Sequence, residues 1–125
     1  MHELSVARAL LNLVAPLARR HAAPVTRVVV RIGPLSGVDP ALLRRAFPQA
    51  AMGTCAEGAI LQLEPAPLRV RCLACGAESG ATINRLDCAI CGATRTQLLA
   101  GDDLHLLRVE LEPADAPMEA KEAHV

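Results

Sequence analysis

Cys72-Leu73-Ala74-Cys75-Gly76-Ala77 returns further along the chain as Cys88-Ala89-Ile90-Cys91-Gly92-Ala93. The spacing is Cys-x2-Cys-x12-Cys-x2-Cys. Tetrahedral zinc takes four ligands with Zn–S distances of about 2.3 Å, and two such hooks supply two sulfurs each. Gly76 and Gly92 permit the tight turn that aims backbone N–H groups at sulfur. Four thiolates carry more charge than one Zn²⁺ neutralises, and Arg69, Arg71, Arg85 and Arg95 lie near enough in sequence to offset the excess. Four ligands saturate the ion, so such a site is structural rather than catalytic. Iron would fit the same sulfurs. Two redox dithiols are the alternative, but neither hook sits at the strand-to-helix junction of a thioredoxin-like site.

The flanking chain follows different rules. Residues 3–21 read as a helix with Ala7, Leu10, Leu11, Val14, Leu17 and Ala18 on one face, and Pro16 predicts a kink near Asn12–Pro16. Val25–Ile32 reads as a strand with Thr26, Val28, Val30 and Ile32 on one face and Arg27 and Arg31 on the other. After the loop Gly33–Gly37, Asp39 as N-cap and Pro40 at the first helical position open a second helix carrying Leu42, Leu43, Ala46 and Phe47, which Pro48 ends or bends. Ala59–Glu64 is predicted as a strand with Ala59, Leu61 and Leu63 inward. Leu104–Glu112 is predicted as another, with Leu107, Val109 and Leu111 inward and His105 on their face by parity.

The predicted class is therefore α+β. A small mixed three-stranded sheet with two helices forms one domain, residues 1–68 and 101–112, and a zinc-ribbon-like module is inserted at 69–100. The tail 113–125 has no pattern and is expected to be disordered.

Composition narrows the function classes. The net charge is zero and the chain has one aromatic residue, Phe47, so neither a phosphate-binding surface nor a base-stacking platform is expected. No apolar run reaches the roughly 18 residues of a membrane helix, and the N-terminus lacks a signal-peptide layout, which points to the cytoplasm and reduced thiols. There is no nucleophile–base constellation, carboxylate pair or phosphate-cradling glycine loop, so a binding protein rather than an enzyme is expected. The rivals are a zinc-ribbon module binding nucleic acid or protein, and a rubredoxin-like electron carrier.

The chain opens Met1-His2-Glu3. A histidine in second place brings the α-amine, its own amide nitrogen and its imidazole within chelating distance, a donor set suited to Ni(II) or Cu(II). A solvated side chain is the plainer reading. Among the other candidates, Cys55 reads as a small semi-buried residue and His21 as a surface cation at a helix C-terminus. His124 reads as an inert tail residue. His105 reads as structural and Asp39 as an N-cap, each with a minor claim on a nickel site.

Taken in order, Met1–Ser5, Ile32–Val38, Gly53-Thr54, Glu57-Gly58-Ala59, the two Cys-x2-Cys-Gly hooks and Gly101-Asp102-Asp103-Leu104 resemble the hydrogenase nickel incorporation proteins of the HypA/HybF type over about residues 1–112. The resemblance implies a nickel-binding α/β domain with an inserted zinc domain. It implies Ni(II), as transferred cargo, bound at the extreme N-terminus through His2, with Glu3 and the Met1 amine and backbone beside it, and structural Zn(II) on Cys72, Cys75, Cys88 and Cys91. The implied partners are a HypB-type GTPase and the large-subunit precursor of [NiFe] hydrogenase, with urease served by some members and a homodimer admitted. Pro16, Pro48 and Ala89, the last standing where a proline is common, depart from the pattern.

Overall fold

The computed structural model describes residues 2–112 with their side chains and residues 118–124 as main chain. Helix α1 runs unbroken from His2 to His21 and buries Ala7, Leu10, Leu11, Val14 and Ala18. Pro16 lies inside it on the exposed side, and Asn12, whose carbonyl loses its helical donor, is exposed as well, so water can serve that carbonyl. Strand β1, Val25–Ile32, follows. Helix α2, Pro40–Ala51, begins where predicted: the Asp39 carboxylate accepts the N–H groups of Ala41 at 2.9 Å and Leu42 at 3.3 Å. It does not end at Pro48, which sits exposed in its last turn. Leu43, Ala46 and Phe47 are buried, whereas Leu42, expected with them, stays 43% exposed.

Strand β2 is Ile60–Pro65, and β3, β4, β5 and β6 are Leu68–Cys72, Glu78–Ala81, Thr96–Ala100 and Leu104–Leu111. One sheet has the order β2-β1-β6, with a further strand on the far side of β6. Gly33 N–H donates to Asp103 O and Glu112 N–H to Pro24 O, so opposite ends of β1 and β6 meet and the pair is antiparallel. Ala66 N–H donates to Ile32 O, so β2 and β1 end together and run parallel, with α2 as the crossover that a parallel pair requires. The predicted mixed sheet of three strands is present. On one face Arg27 donates to Gln62 at 2.7 Å and pairs with Glu110 at 3.5 Å, while Arg108 pairs with Glu110 at 3.2 Å, so one polar network spans the three strands. Val29, which shares the arginine face by alternation, is fully buried all the same.

Two expectations need correction. Residues beyond Pro113 were expected to be disordered, yet Met118–His124 forms strand β7, antiparallel to β6. Pairing to a free strand edge is a main-chain interaction and needs no apolar pattern, so the sequence carries little sign of it. In β6 the buried residues are Leu104, Leu106, Val109 and Leu111, so burial changes parity midway. The change falls between Leu106 and Arg108, where the β6–β7 register also shifts. His105 is therefore half-buried on the face opposite Leu104 and Leu106, not inward with Leu107.

The chain divides into two compact units, Met1–Arg31 with Val38–Glu64 and Leu104–Val125, and Ile32–Gly37 with Pro65–Asp103. In the first, α1 packs on α2 and on β6, enclosing Leu10, Val14, Val28, Val30, Leu43, Phe47, Leu106 and Val109. The second is built on the antiparallel sheet β4-β3-β5, in which Leu68, Val70 and Cys72 alternate inward and Arg69 and Arg71 outward. Within this unit Leu35 N–H donates to Gly101 O at 2.8 Å, and a Cβ on Gly33 would collide with the backbone of Gly101. A glycine is needed where the backbones approach so closely.

Candidate metal centres

Strand β3 delivers Cys72 at its last residue, and the chain then turns through Cys75 before β4. Cys88 and Cys91 come from the segment that precedes β5. The two hooks fold alike. Cys72 N–H donates to Ala77 O and Gly76 N–H to Cys72 O; Cys88 N–H donates to Ala93 O and Gly92 N–H to Cys88 O. Both turns need a left-handed residue at the glycine, with φ +78° at Gly76 and +77° at Gly92. Each turn then aims two amides at the leading sulfur. Ala74 and Cys75 donate to Cys72 Sγ, both at 3.3 Å, and Ile90 and Cys91 to Cys88 Sγ at 3.3 and 3.4 Å.

The four sulfurs lie within 4.8 Å of one another, with Cys72–Cys91 at 3.5 Å and Cys75–Cys88 at 3.7 Å. A regular tetrahedron with metal–sulfur bonds of about 2.3 Å has edges of roughly 3.8 Å, so the cage fits one such ion. The separations far exceed the roughly 2.05 Å of a disulfide, and all four thiols are free. Cys72 and Cys88 are buried while Cys75 and Cys91 are exposed.

Electrostatics prepare the cage for a cation. The Cys75 N–H, helped by that of Ala74, brings the Cys72 thiol down to about 6 against the opposing effect of burial. The Cys91 and Ile90 N–H groups likewise hold Cys88 below its ordinary value. The Ala93 N–H acts in the same direction on Cys91, but the crowding sulfurs of Cys72 and Cys75 outweigh it and push that thiol up to about 12. Four sulfurs this close cannot all be anionic without a cation, and a divalent ion takes the place of the shared protons. Two of the four arginines predicted to offset the charge have carboxylate partners: Arg71 pairs with Glu78 at 3.0 Å and Arg85 with Asp87 at 4.0 Å. The four amides aimed at Cys72 and Cys88 supply compensation at the sulfurs themselves. Sequence reading missed Ser79, which is buried and accepts the Ala89 N–H at 3.3 Å, tying the second hook to β4. No spacing rule singles out a serine in that place.

At the other candidate centre, His2 is the exposed first residue of α1. Met1 lies outside the described residues. Glu3 is half-buried, and its carboxylate accepts the Asp39 N–H at 3.3 Å, so the start of α1 and the N-cap of α2 stand side by side. Among the described residues the sulfur cage is the one group of three or more His, Cys, Asp or Glu side chains close enough to share an ion. Next to Glu3 is a hollow of about 230 Å³ lined by Leu4, Leu42, Arg45, Ala46 and Gln49. Cys55 is exposed, not semi-buried, because it lies in the turns after α2, where its carbonyl accepts the Val25 N–H. His21 is exposed at the end of α1, and the side chain of His124 lies outside the described residues.

A family profile described as "Hydrogenase/urease nickel incorporation, metallochaperone, hypA" matches residues 1–111. The chain is 46% identical over 112 residues to a hydrogenase maturation factor HypA from Nitrosospira multiformis, covering 89% of this chain and 97% of that protein. It is 44% identical over 113 residues to a protein of the same name from Aquifex aeolicus, covering 90% and 98%. The solution structure of the Ni metallochaperone HypA from Helicobacter pylori is similar with a TM-score of 0.65 at 26% identity, covering 87% of this chain and 96% of that one. A match that runs from residue 1 through both cysteine hooks, with relatives of nearly equal extent and a shared fold, places the chain in the HypA family of hydrogenase maturation metallochaperones, which are not enzymes.

Proposed function

We propose that this protein binds Ni(II) at its extreme N-terminus and delivers it during maturation of [NiFe] hydrogenase, and of urease where that enzyme is the client. The ligands in this reading are the His2 imidazole, the Met1 amine with adjoining backbone nitrogen, and the Glu3 carboxylate. Zn(II) on Cys72, Cys75, Cys88 and Cys91 is the structural ion. One observation carries the nickel assignment: the family match begins at residue 1, on a chain opening Met-His-Glu. The Asp39 N–H to Glu3 bond supports it, because it fixes that carboxylate at the start of α1 beside His2. Asp39 itself is occupied as an N-cap.

Energy and timing come from a HypB-type GTPase, since the chain has no nucleotide-binding motif, and the acceptor is the large-subunit precursor. The hollow beside Glu3, with Leu42 exposed, supports docking of the GTPase close to the nickel, where the transfer path is shortest. A homodimer is the third assembly in this reading. The setting is the cytoplasm; no helix among the described residues is long and apolar enough to cross a membrane.

Calorimetric titration with Ni(II) of the native protein, of one retaining an N-terminal tag and of His2→Ala tests the site. Nickel binding is expected to weaken in the tagged protein and more strongly in His2→Ala, with bound zinc and fold unchanged. Acidification should weaken it in the native protein, because protons compete for the same nitrogens. Equal affinity in the native and His2→Ala proteins would move the nickel elsewhere. Loss in His2→Ala alone would keep the imidazole and remove the amine.

A further inference from the structure

The family match stops at residue 111, and the Nitrosospira relative is 97% covered by an alignment of 112 residues, so the C-terminal segment with β7 lies beyond what these two matches cover. Strand β7 lies along β6, which would otherwise form the edge of the sheet. An uncovered strand of eight residues offers its outward N–H and C=O groups to any extended chain. The cover is weak by composition: Met118–His124 is rich in Glu, Ala and Lys, residues poorly suited to strands.

The register suggests what the cover stands in for. Val109 is opposite Met118, and Arg108 is opposite Glu119. If β6 is laid antiparallel on a second copy of itself about a two-fold axis at Val109, each Arg108 faces the other copy's Glu110 and each Leu107 the other's Leu111. Both are favourable cross-strand pairs, and a two-fold contact repeats each of them. In register, Met118-Glu119 thus stands opposite Val109 and Arg108 where Val109-Glu110 of a second copy would stand, and both pairs read apolar residue then glutamate in sequence.

We propose that Met118–His124 is a displaceable cover on the outer edge of β6, and that the uncovered edge pairs with β6 of a second copy about Val109. The proposal rests on the homodimer reading above and gives it a surface and a control. Neither metal assignment enters it.

Analytical ultracentrifugation of metal-loaded protein over a wide concentration range tests it on three chains: the full chain, the full chain with Glu119→Pro, and the chain ending at Glu112, close to where the family match ends. Proline removes a ladder donor within β7. Self-association is expected to tighten about tenfold or more in the second and third chains. In the shortened chain, Arg108→Glu alone and Glu110→Arg alone should both be monomeric, because each sets like charges opposite one another. An equimolar mixture of the two should form a heterodimer, because both cross-strand pairs then become attractive. Equal dimerisation of all three chains would overturn the cover while leaving the homodimer. A monomer throughout would overturn both. A shortened dimer indifferent to the two charge changes, or a mixture that stays monomeric, would overturn the β6 edge as the contact.

Discussion

The two units of this chain answer the same shortage of core in opposite ways. The first encloses Phe47, Leu10, Leu43, Leu106 and six fully buried or nearly buried valines, among them Val28, Val29 and Val30. The second buries Leu68, Val70, Cys72 and Cys88 but leaves Leu73, Ile83, Leu86, Ile90 and Leu99 at its surface. By apolar burial alone a unit that small would be marginal. Its four sulfurs form the cage that a divalent ion closes, and metal binding to such a cage is itself folding free energy, on the order of 10–16 kcal/mol in zinc-finger peptides. One unit is therefore held by shape and, in the reading proposed above, the other by coordination.

The hardest test of that contrast is Cys88→Ser. Metal content should fall to background and the amide dispersion of residues 65–103 should collapse, while signals from α1, α2 and β1 persist in heteronuclear NMR. Retention of the metal, or loss of both units together, would end the contrast. The reciprocal change is Phe47→Ala, expected to destabilise the first unit by about 3–5 kcal/mol in urea unfolding while metal stoichiometry is preserved. A loss below about 1 kcal/mol would mean the apolar core matters less than its burial implies. The smallest effect is expected from Asp39→Ala, which removes the acceptor for Ala41 and Leu42 and should lower stability by about 1 kcal/mol. Its counterpart in the second unit is the set of amides on Cys72 and Cys88, so metal retention should not change.

How legible each unit was follows from the same contrast. The hooks are local, and their turns, their glycines and the four sulfurs that cluster could be read from spacing alone. Residues Leu68-Arg69-Val70-Arg71-Cys72 alternate cleanly, a strand signal at the start of the segment read only as a metal-cored module. In the first unit, periodicity located α1, β1, β6 and the N-cap at Asp39, because burial on one face leaves a period in the sequence. It failed where a main-chain event changed the register. The burial parity of β6 changes between Leu106 and Arg108, which takes His105 off the face of Val109 and Leu111, and β7 attached by backbone pairing that no side-chain pattern announces. Pro48 misled in another way: an exposed proline in a last turn removes a hydrogen bond that water can replace, so the helix ran on to Ala51. The bond between Glu3 and Asp39 joins residues 36 apart and could come only from the fold.

The division of the chain has a consequence for the order of synthesis. The polypeptide passes between the units after Arg31, Gly37, Glu64 and Asp103, so neither unit is a single continuous stretch. A ribosome adds about 5–20 residues per second from the N-terminus. Cys91 and then β5 are complete before Leu104 is made, whereas β1 waits for its neighbour β6 until the end. All four sulfurs are thus synthesised before the sheet beneath α1 can be completed, so in the metal reading proposed above the cage needs nothing from β6 to take its ion.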